Sequence, residues 1–441
     1  MSTVPPLHLP ALQVLDLRGD RTDPSARLPR TAPGTAAEAR SAAAEVLAAV
    51  RADGDAAVAR CSARFDGWEH AGEEDFAVPP EAATAALEGL DPALRAALER
   101  AAEQVRWFHE QARPRDWRER RGSAVLGVSH KPLRRVGAYV PGGRAAYPST
   151  VLMTVVPAKV AGVDEVVVCT PPGRDGQVNP TILAAAALTG ADRVLRIGGA
   201  QAIAAMAYGT ASVPRCDKIV GPGNAYVAEA KRLVAGEGAC GIDGFAGVTE
   251  VAIIADDTAE PAHVAADLIA QAEHDPQAIC LLITPSAALV QRVELALAAE
   301  WPQVRHAERV RTALAGQGAA VLVDDLDHAV AVADAFAAEH LEVQTADAAT
   351  VADRVRAAGA IFVGAHTPVS LGDYCAGPNH TLPTGGSARF TGGLRTDDFL
   401  VPVNWVEYDR AALADLEPVV SALSEAEDLP AHGRAVRVRL S

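Results

Sequence analysis

The sequence predicts an α/β fold: two Rossmann-like lobes with parallel sheets, preceded by an N-terminal arm and followed by a small C-terminal tail domain. Three observations predict it. From about residue 135, short apolar runs bounded by Gly or Pro alternate with helical patterns, which is the signature of βαβ units. The runs are apolar at nearly every position, as strands covered by helices on both faces must be. The alternation comes in two series, separated by the Gly-rich EGACGIDGFAGV at 237–248. With 441 residues, 49% of them hydrophobic, the chain can fill a core in each of two lobes.

Taken in order, residues 1–35 are rich in Pro, Arg and Thr and read as an arm. Two Ala-rich helical patterns follow, near 35–65 and 80–112. RPRDWRERRG at 113–122 sets five arginines around Trp117 and reads as a solvated face or loop, because acids are interleaved with the bases. VGAYVP, EVVVCTPP, RVLRIGG and DKIVGPG are the predicted strands of one lobe, with TVLMTVVPAKVAG, TILAAAALTG, AIAAMAYG and NAYVAEAKRLVA as its helices. This lobe is placed at 139–247. TEVAIIADD, AICLLITPS, AAVLVDD and AIFVGAH are the strands of the other, a discontinuous lobe of 36–138 and 248–394. After Thr391 the pattern dissolves into a tail, 395–441, with one last helical stretch near 417–428. So small a tail buries little by itself and should dock on something, such as another subunit.

Composition removes several classes of function. Forty Lys and Arg against 56 Asp and Glu leave a net charge of −16, which disfavours a nucleic-acid or anionic-membrane surface. The N-terminus shows no basic stretch followed by an apolar one, and STVLMTVVPAKVAGV is broken by Pro157 and Lys159, so neither a secretory signal nor a membrane span is expected. A cytoplasmic protein is the expectation. The six cysteines are scattered and form no CxxC pair, against both a disulfide framework and a thiolate zinc site. Any metal would be held by nitrogen and oxygen.

In parallel α/β sheets ligands bind outside the carboxyl ends of strands. GEGACG, 236–241, has GxGxxG spacing but follows a helix pattern, so it is rejected as a cofactor loop. GPGNAY is better placed, with Gly221 and Gly223 after a strand and Asn224 opening a helix, a start whose free N–H groups suit a phosphate or serve an ordinary tight turn. Gly198, Gly199 and Gln201 repeat the arrangement, and YVPGG with Tyr139 is a third. In QAEHDP, Gln271 and His274 share a helix face at i and i+3, either as two ligands of one ion or as a solvated helix end. Glu339 and His340 in EHLEVQ read as a polar helix end whose side chains, about 100° apart, would do two jobs at one site. LGDYCAGPNHTLPTGG offers Asp373, Cys375 and His380 in a long loop, and EDLPAH offers Glu427 and His432 in the tail.

DKIVGPGNAYVAEAKR, the QAEH helix end, EHLEVQ, LGDYCAGPNHTLPTGG and the C-terminal E-x-x-x-x-H, in this order, resemble the histidinol dehydrogenase family, over residues 35 to 435 or so. The resemblance implies an NAD-dependent oxidoreductase of histidine biosynthesis that takes L-histidinol to L-histidine in two oxidations through an enzyme-held aldehyde. It implies one Zn2+ per subunit on Gln271, His274, Asp373 and His432, a ligand set that manganese could also enter. His340 then falls on the general base and Glu339 on the carboxylate that activates water. Thr249, Gln271, His274, His340, Asp373, His380, Glu427 and His432 fall on substrate-binding positions, and Tyr139, Gln201 and Asn224 on NAD contacts. The tail would cross to the partner of a homodimer. Val248 and Thr249 depart from the more usual Pro-Ser, which retains the hydroxyl and adds a methyl beside the substrate. Two rival chemistries use the same residues: a thiol-based aldehyde dehydrogenase with Cys375 as nucleophile, and a zinc hydrolase.

Overall fold

The computed structural model describes residues 11–30, 34–69, 76–142, 146–244 and 247–441. The expected α/β architecture is observed. A six-stranded parallel sheet runs in the order Gln13–Asp16, Gly318–Leu322, Ile279–Thr284, Glu250–Ala255, His340–Gln344, Ala360–Val363. A five-stranded parallel sheet runs Arg193–Arg196, Glu165–Thr170, Arg135–Tyr139, Lys218–Val220, Gly241–Ile242. A third, antiparallel sheet joins Leu400–Glu407, Ala124–Pro132 and Trp117–Arg121.

The double-sided apolar strands do what their composition requires. In Glu250–Ala255, the side chains of Val251, Ile253 and Ala255 enter one core with Val264 and Leu268, while Ala252 and Ile254 enter the opposite core with Val332 and Phe336. Each large aliphatic buried this way contributes about 1.5–3 kcal/mol of transfer free energy, so a strand dressed for two cores is held between two helical layers.

Three expectations need correction, and the arginine-rich segment keeps its expected solvated face on a strand. The helices of residues 36–138 do not cover the lobe of 248–394. Gly34–Asp53 and Asp55–Phe65 bury Ala43, Leu47, Val50 and Val58 with Ile203 and Met206, and Pro92–Gln111 buries Leu98, Ala101 and Ala102 with Val151 and Leu152. They form an outer layer on the helices of the five-stranded lobe, because their apolar stripes match surfaces that its own short helices leave exposed. The arm is also more than an arm. Its Gln13–Asp16 adds an edge strand to the six-stranded sheet beside Ala319–Leu322, and Arg30 donates to the Phe336 carbonyl at 2.6 Å. The arginine-rich segment is a strand with all five residues exposed, paired only with Ala124–Val128, and Arg118 stacks on Trp405 at 3.7 Å. Finally, the tail is a strand and two helices, Leu400–Glu407, Arg410–Ala426 and Pro430–Arg437. Residues 1–10, part of the arm, lie outside the described residues. Among the described residues no helix is long and apolar enough to cross a membrane.

Candidate active site

Two central strands of the six-stranded sheet start side by side, with His340 paired in register to Val251. The residues at and just before their first positions therefore emerge together. Glu339 Oε2 accepts from the Glu250 amide at 2.9 Å and from the Thr249 hydroxyl at 2.5 Å. That hydroxyl in turn accepts from Gln271 Nε2 at 2.7 Å, so amide, hydroxyl and carboxylate form one directed chain. Fixing Nε2 fixes the other end of the amide. Gln271 is 2% exposed, and its Oε1 is buried with no hydrogen-bond partner.

His274 closes the helix Pro261–His274 and sets Nε2 at 3.6 Å from Asp373 Oδ2, while Asp373 Oδ1 lies 4.0 Å from His340 Nε2. His340 is buried, and its Nδ1 lies 3.1 Å from the Glu250 carbonyl, which can only accept. Nδ1 therefore carries a proton, and Nε2 is turned toward Asp373. Burial alone would raise the Asp373 carboxyl, but the nearby imidazoles, His274 first among them, hold it below the ordinary value. The same pairing, working against burial, raises His274. His380 Nδ1 lies 2.9 Å from the Asp373 carbonyl and Nε2 lies 3.3 Å from the Thr150 hydroxyl, and burial lowers the pKa of this imidazole. Through Thr150 the loop touches the five-stranded lobe.

The cluster lies at the amino ends of these strands, opposite to where parallel sheets usually present ligands. Its negative helix end, beside Gln271 and His274, suits a cation there. The expected helix through Glu339 and His340 is not observed. The helix Leu326–Phe336 stops at Ala337 (φ 50°), and His340 opens a strand, so the two side chains diverge by the alternation of a strand and not by a helical step. Glu427 and His432 stand apart from the cluster. Both are exposed on the tail, and among the described residues no hydrogen bond or ion pair joins either side chain to it. Among the described residues no three His, Cys, Asp or Glu side chains converge as a ready metal cluster. Cys375 is half-buried and packs on the apolar core of the five-stranded lobe.

In that lobe the strand order reverses between Arg135–Tyr139 and Lys218–Val220, and the turns after both strands meet there. Gly221 has φ 109°, and a Cβ on it would lie 2.1 Å from the Tyr139 carbonyl oxygen. Asn224 accepts from the amides of Tyr226 and Val227 and caps the helix Ala225–Gly236. Tyr139 accepts from the Gly199 amide at 3.1 Å, and Gln201 Nε2 donates to Asp66 at 3.3 Å. Part of the third glycine turn, 143–145, lies outside the described residues.

Sequence reasoning missed three supporting residues. Glu250 lends its backbone to both Glu339 and His340, and its carboxyl, pushed up to about 7 by burial, lies 3.7 Å from Arg30 and accepts from the Gly385 amide. Asp66 is pushed up to about 6 by burial beside Gln201. Lys231 pairs with Asp243 and donates to the Gly221 carbonyl, bracing the glycine turn beside a cavity of about 180 Å³. A buried Glu opening an apolar strand was the legible signal for the first, while the other two depend on packing.

Fold and cluster together define a two-lobed α/β protein with a nucleotide-type switch point in one lobe and an imidazole–carboxylate–amide centre in the other. The family model described as histidinol dehydrogenase matches residues 30–440. Histidinol dehydrogenase of Thermobifida fusca is 52% identical over 433 residues, 97% of each chain, and that of Nocardia farcinica is 51% identical over 96% of this chain and 97% of its own. The crystal structure of the Elizabethkingia anophelis enzyme superposes with a TM-score of 0.92 at 31% identity, covering 98% of this chain and 99% of that one. The chain belongs to the histidinol dehydrogenase family.

Proposed function

We propose that this protein oxidises L-histidinol to L-histidine in two NAD-dependent steps through an enzyme-held aldehyde. The observation that carries the reading is the orientation of His340: its Nδ1–H is spent on the Glu250 carbonyl, which turns Nε2 into the cluster, 4.0 Å from Asp373, where its neutral form is a proton acceptor. An imidazole in this form takes the hydroxyl proton of the alcohol, and later that of the hydrated aldehyde, near neutral pH. Glu339 is the acceptor for a proton of the water that adds to the aldehyde carbon. Its Oε2 is held by Thr249 and Glu250, which aims the carboxylate without consuming both oxygens. The balance is one alcohol, one water and two hydride acceptors giving one carboxylate.

The residues fit a divalent cation bound by nitrogen and oxygen. The unpartnered, buried Oε1 of Gln271 and the adjacent His274 and Asp373 supply an amide oxygen, an imidazole and a carboxylate, and His432 from a crossing tail would complete a set of four. Zinc bound there supplies a Lewis-acidic anchor that orients the substrate's amino and imidazole nitrogens. The glycine turns at the switch point, with Tyr139, Gln201 and Asn224, fit NAD, because Gly221 lets the turns after two neighbouring strands close against each other at the carboxyl ends where a dinucleotide lies. NAD supplies the hydride acceptor.

Residues 139–247 would thus hold the cofactor, 248–394 the chemistry, and 395–441 the arm that closes the neighbouring subunit's site. The tail supports this: Val401, Val403, Val406, Val419 and Leu423 are exposed in it, a surface apt for burial in a homodimer that shares Glu427, His432 and the substrate pocket with His380 and Thr249. A cytoplasmic location suits the two soluble cosubstrates. The test is a product assay on purified protein with L-histidinol, NAD and zinc, which should give two NADH per histidine. A strong chelator should abolish turnover while far-UV circular dichroism is unchanged. No NADH from wild-type, zinc-loaded protein would overturn the reading.

A further inference from the structure

Because side chains alternate along a strand, His340, Glu342 and Gln344 of His340–Gln344 share one face. Glu342 is 1% exposed, and the mechanism above gives it no part. On the facing helix, Asp267 sits one turn before Gln271. Gln344 Nε2 donates to Asp267 Oδ2 at 3.1 Å and to Glu342 Oε2 at 2.9 Å. Gln344 thus bridges the two carboxyls, and burial followed by the charge of Asp267 drives Glu342 well above the ordinary carboxylate range. The remaining oxygen of Glu342, Oε1, accepts from the Val369 amide at 2.9 Å. Val369 is the first residue of the short helix Val369–Tyr374, whose penultimate residue is Asp373.

One carboxyl is therefore tied to three elements: its own strand, which carries His340; through Gln344 and Asp267, the helix that carries Gln271 and His274; and directly, the helix that carries Asp373. We propose that Glu342, with Asp267 and Gln344, is a positioning group that sets the spacing of His340, the Gln271–His274 pair and Asp373 from outside the site. This inference rests on the proposed function of those residues. Buried acids are costly unless fully paired, and this one is paired only with the elements that carry the reacting groups.

Glu342→Ala removes the tie. It should weaken zinc binding about 10- to 100-fold in a chelator competition, the usual cost of disturbing groups that orient metal ligands, and lower kcat at saturating zinc and substrate while the KM for NAD stays put. Glu342→Gln should restore most of both, since its Oε1 still serves Val369 and Gln344 can turn its own unpaired Oε1 to meet the new amide N–H. A folded Glu342→Ala with wild-type zinc affinity and kcat would overturn the proposal, as would equal losses in the Ala and Gln variants. If Glu342→Ala does not fold, Asp267→Ala at its half-buried position decides the matter by the same readings. Wild-type protein run alongside separates the two failures: no zinc binding or turnover there defeats the reading of the site, whereas an active wild type with an indifferent Glu342→Ala defeats the tie alone.

Discussion

Thr249→Val should damage aldehyde oxidation far more than its change in size would suggest. The substitution keeps the branched shape and deletes one oxygen that both accepts from Gln271 Nε2 at 2.7 Å and donates to Glu339 Oε2 at 2.5 Å. Losing the acceptor strands a buried amide N–H, at about 1–3 kcal/mol, and losing the donor removes a bond to a charged group, worth about 1.5–3 kcal/mol. Part of this falls on stability. The rest falls on where Glu339 and the Gln271 oxygen point, and at about 1.4 kcal/mol per tenfold a loss of about 10- to 100-fold in the aldehyde step follows. The assay is NADH formation from the amino aldehyde and, separately, from the alcohol, with zinc content measured on the same samples. Thr249→Ser, which retains the hydroxyl, should stay close to wild type. Wild-type aldehyde oxidation by a zinc-loaded Thr249→Val would refute the relay and return Thr249 to a simple substrate contact.

Other expectations test the remaining assignments. His340→Asn should depress both oxidations and Glu339→Gln mainly the second; the reverse pattern, read from single-turnover NADH formation on each substrate, would exchange the roles. Mixing His432→Ala chains with Asp373→Ala chains should regenerate some active sites if the tail is exchanged, and verified mixed dimers with no regained activity would keep the tail at home. Glu250 makes a prediction about pH. Its carboxyl, held up to about 7 against an ordinary 4.5, binds a proton that the unfolded chain has already released. The folded state is therefore favoured most below pH 4.5, and this contribution is lost as the pH rises through about 7. Glu250→Gln should flatten the difference between thermal melts at pH 5 and pH 8, and an unchanged difference would place the buried proton elsewhere.

Much of the architecture was readable because it rests on local composition. Strands such as Val166–Val168 and Ile253–Ile254 are apolar on both faces, and that alone calls for helices on each side. One helix end was readable for the same reason: His274 closes a pattern whose period is 3.6. EHLEVQ was misread because AFAAEH continues the preceding alanine-rich helix, and only the backbone of Glu250–Ala255 alongside makes a strand the better partner for residues 340–344. Gln13–Asp16 was invisible for a related reason, since four residues of which only Leu15 is partly buried carry no pattern and are held by ladder hydrogen bonds to Ala319–Leu322.

The candidate site divides along the same line. Sequence by itself determined which residue types were present and in what order along the chain, and through five separated motifs it pointed to the family. It also determined that any metal would be held by nitrogen and oxygen. Only the tertiary structure decided that Thr249 bridges Gln271 to Glu339, which nitrogen of His340 carries its proton, and that the helices of 34–111 clothe the other lobe. These are consequences of pairings between residues 22 to 90 positions apart in the site and of packing between separate segments. Hydrogen-bond direction and core membership depend on which surfaces come into contact, and periodicity within one segment holds no record of its distant partners.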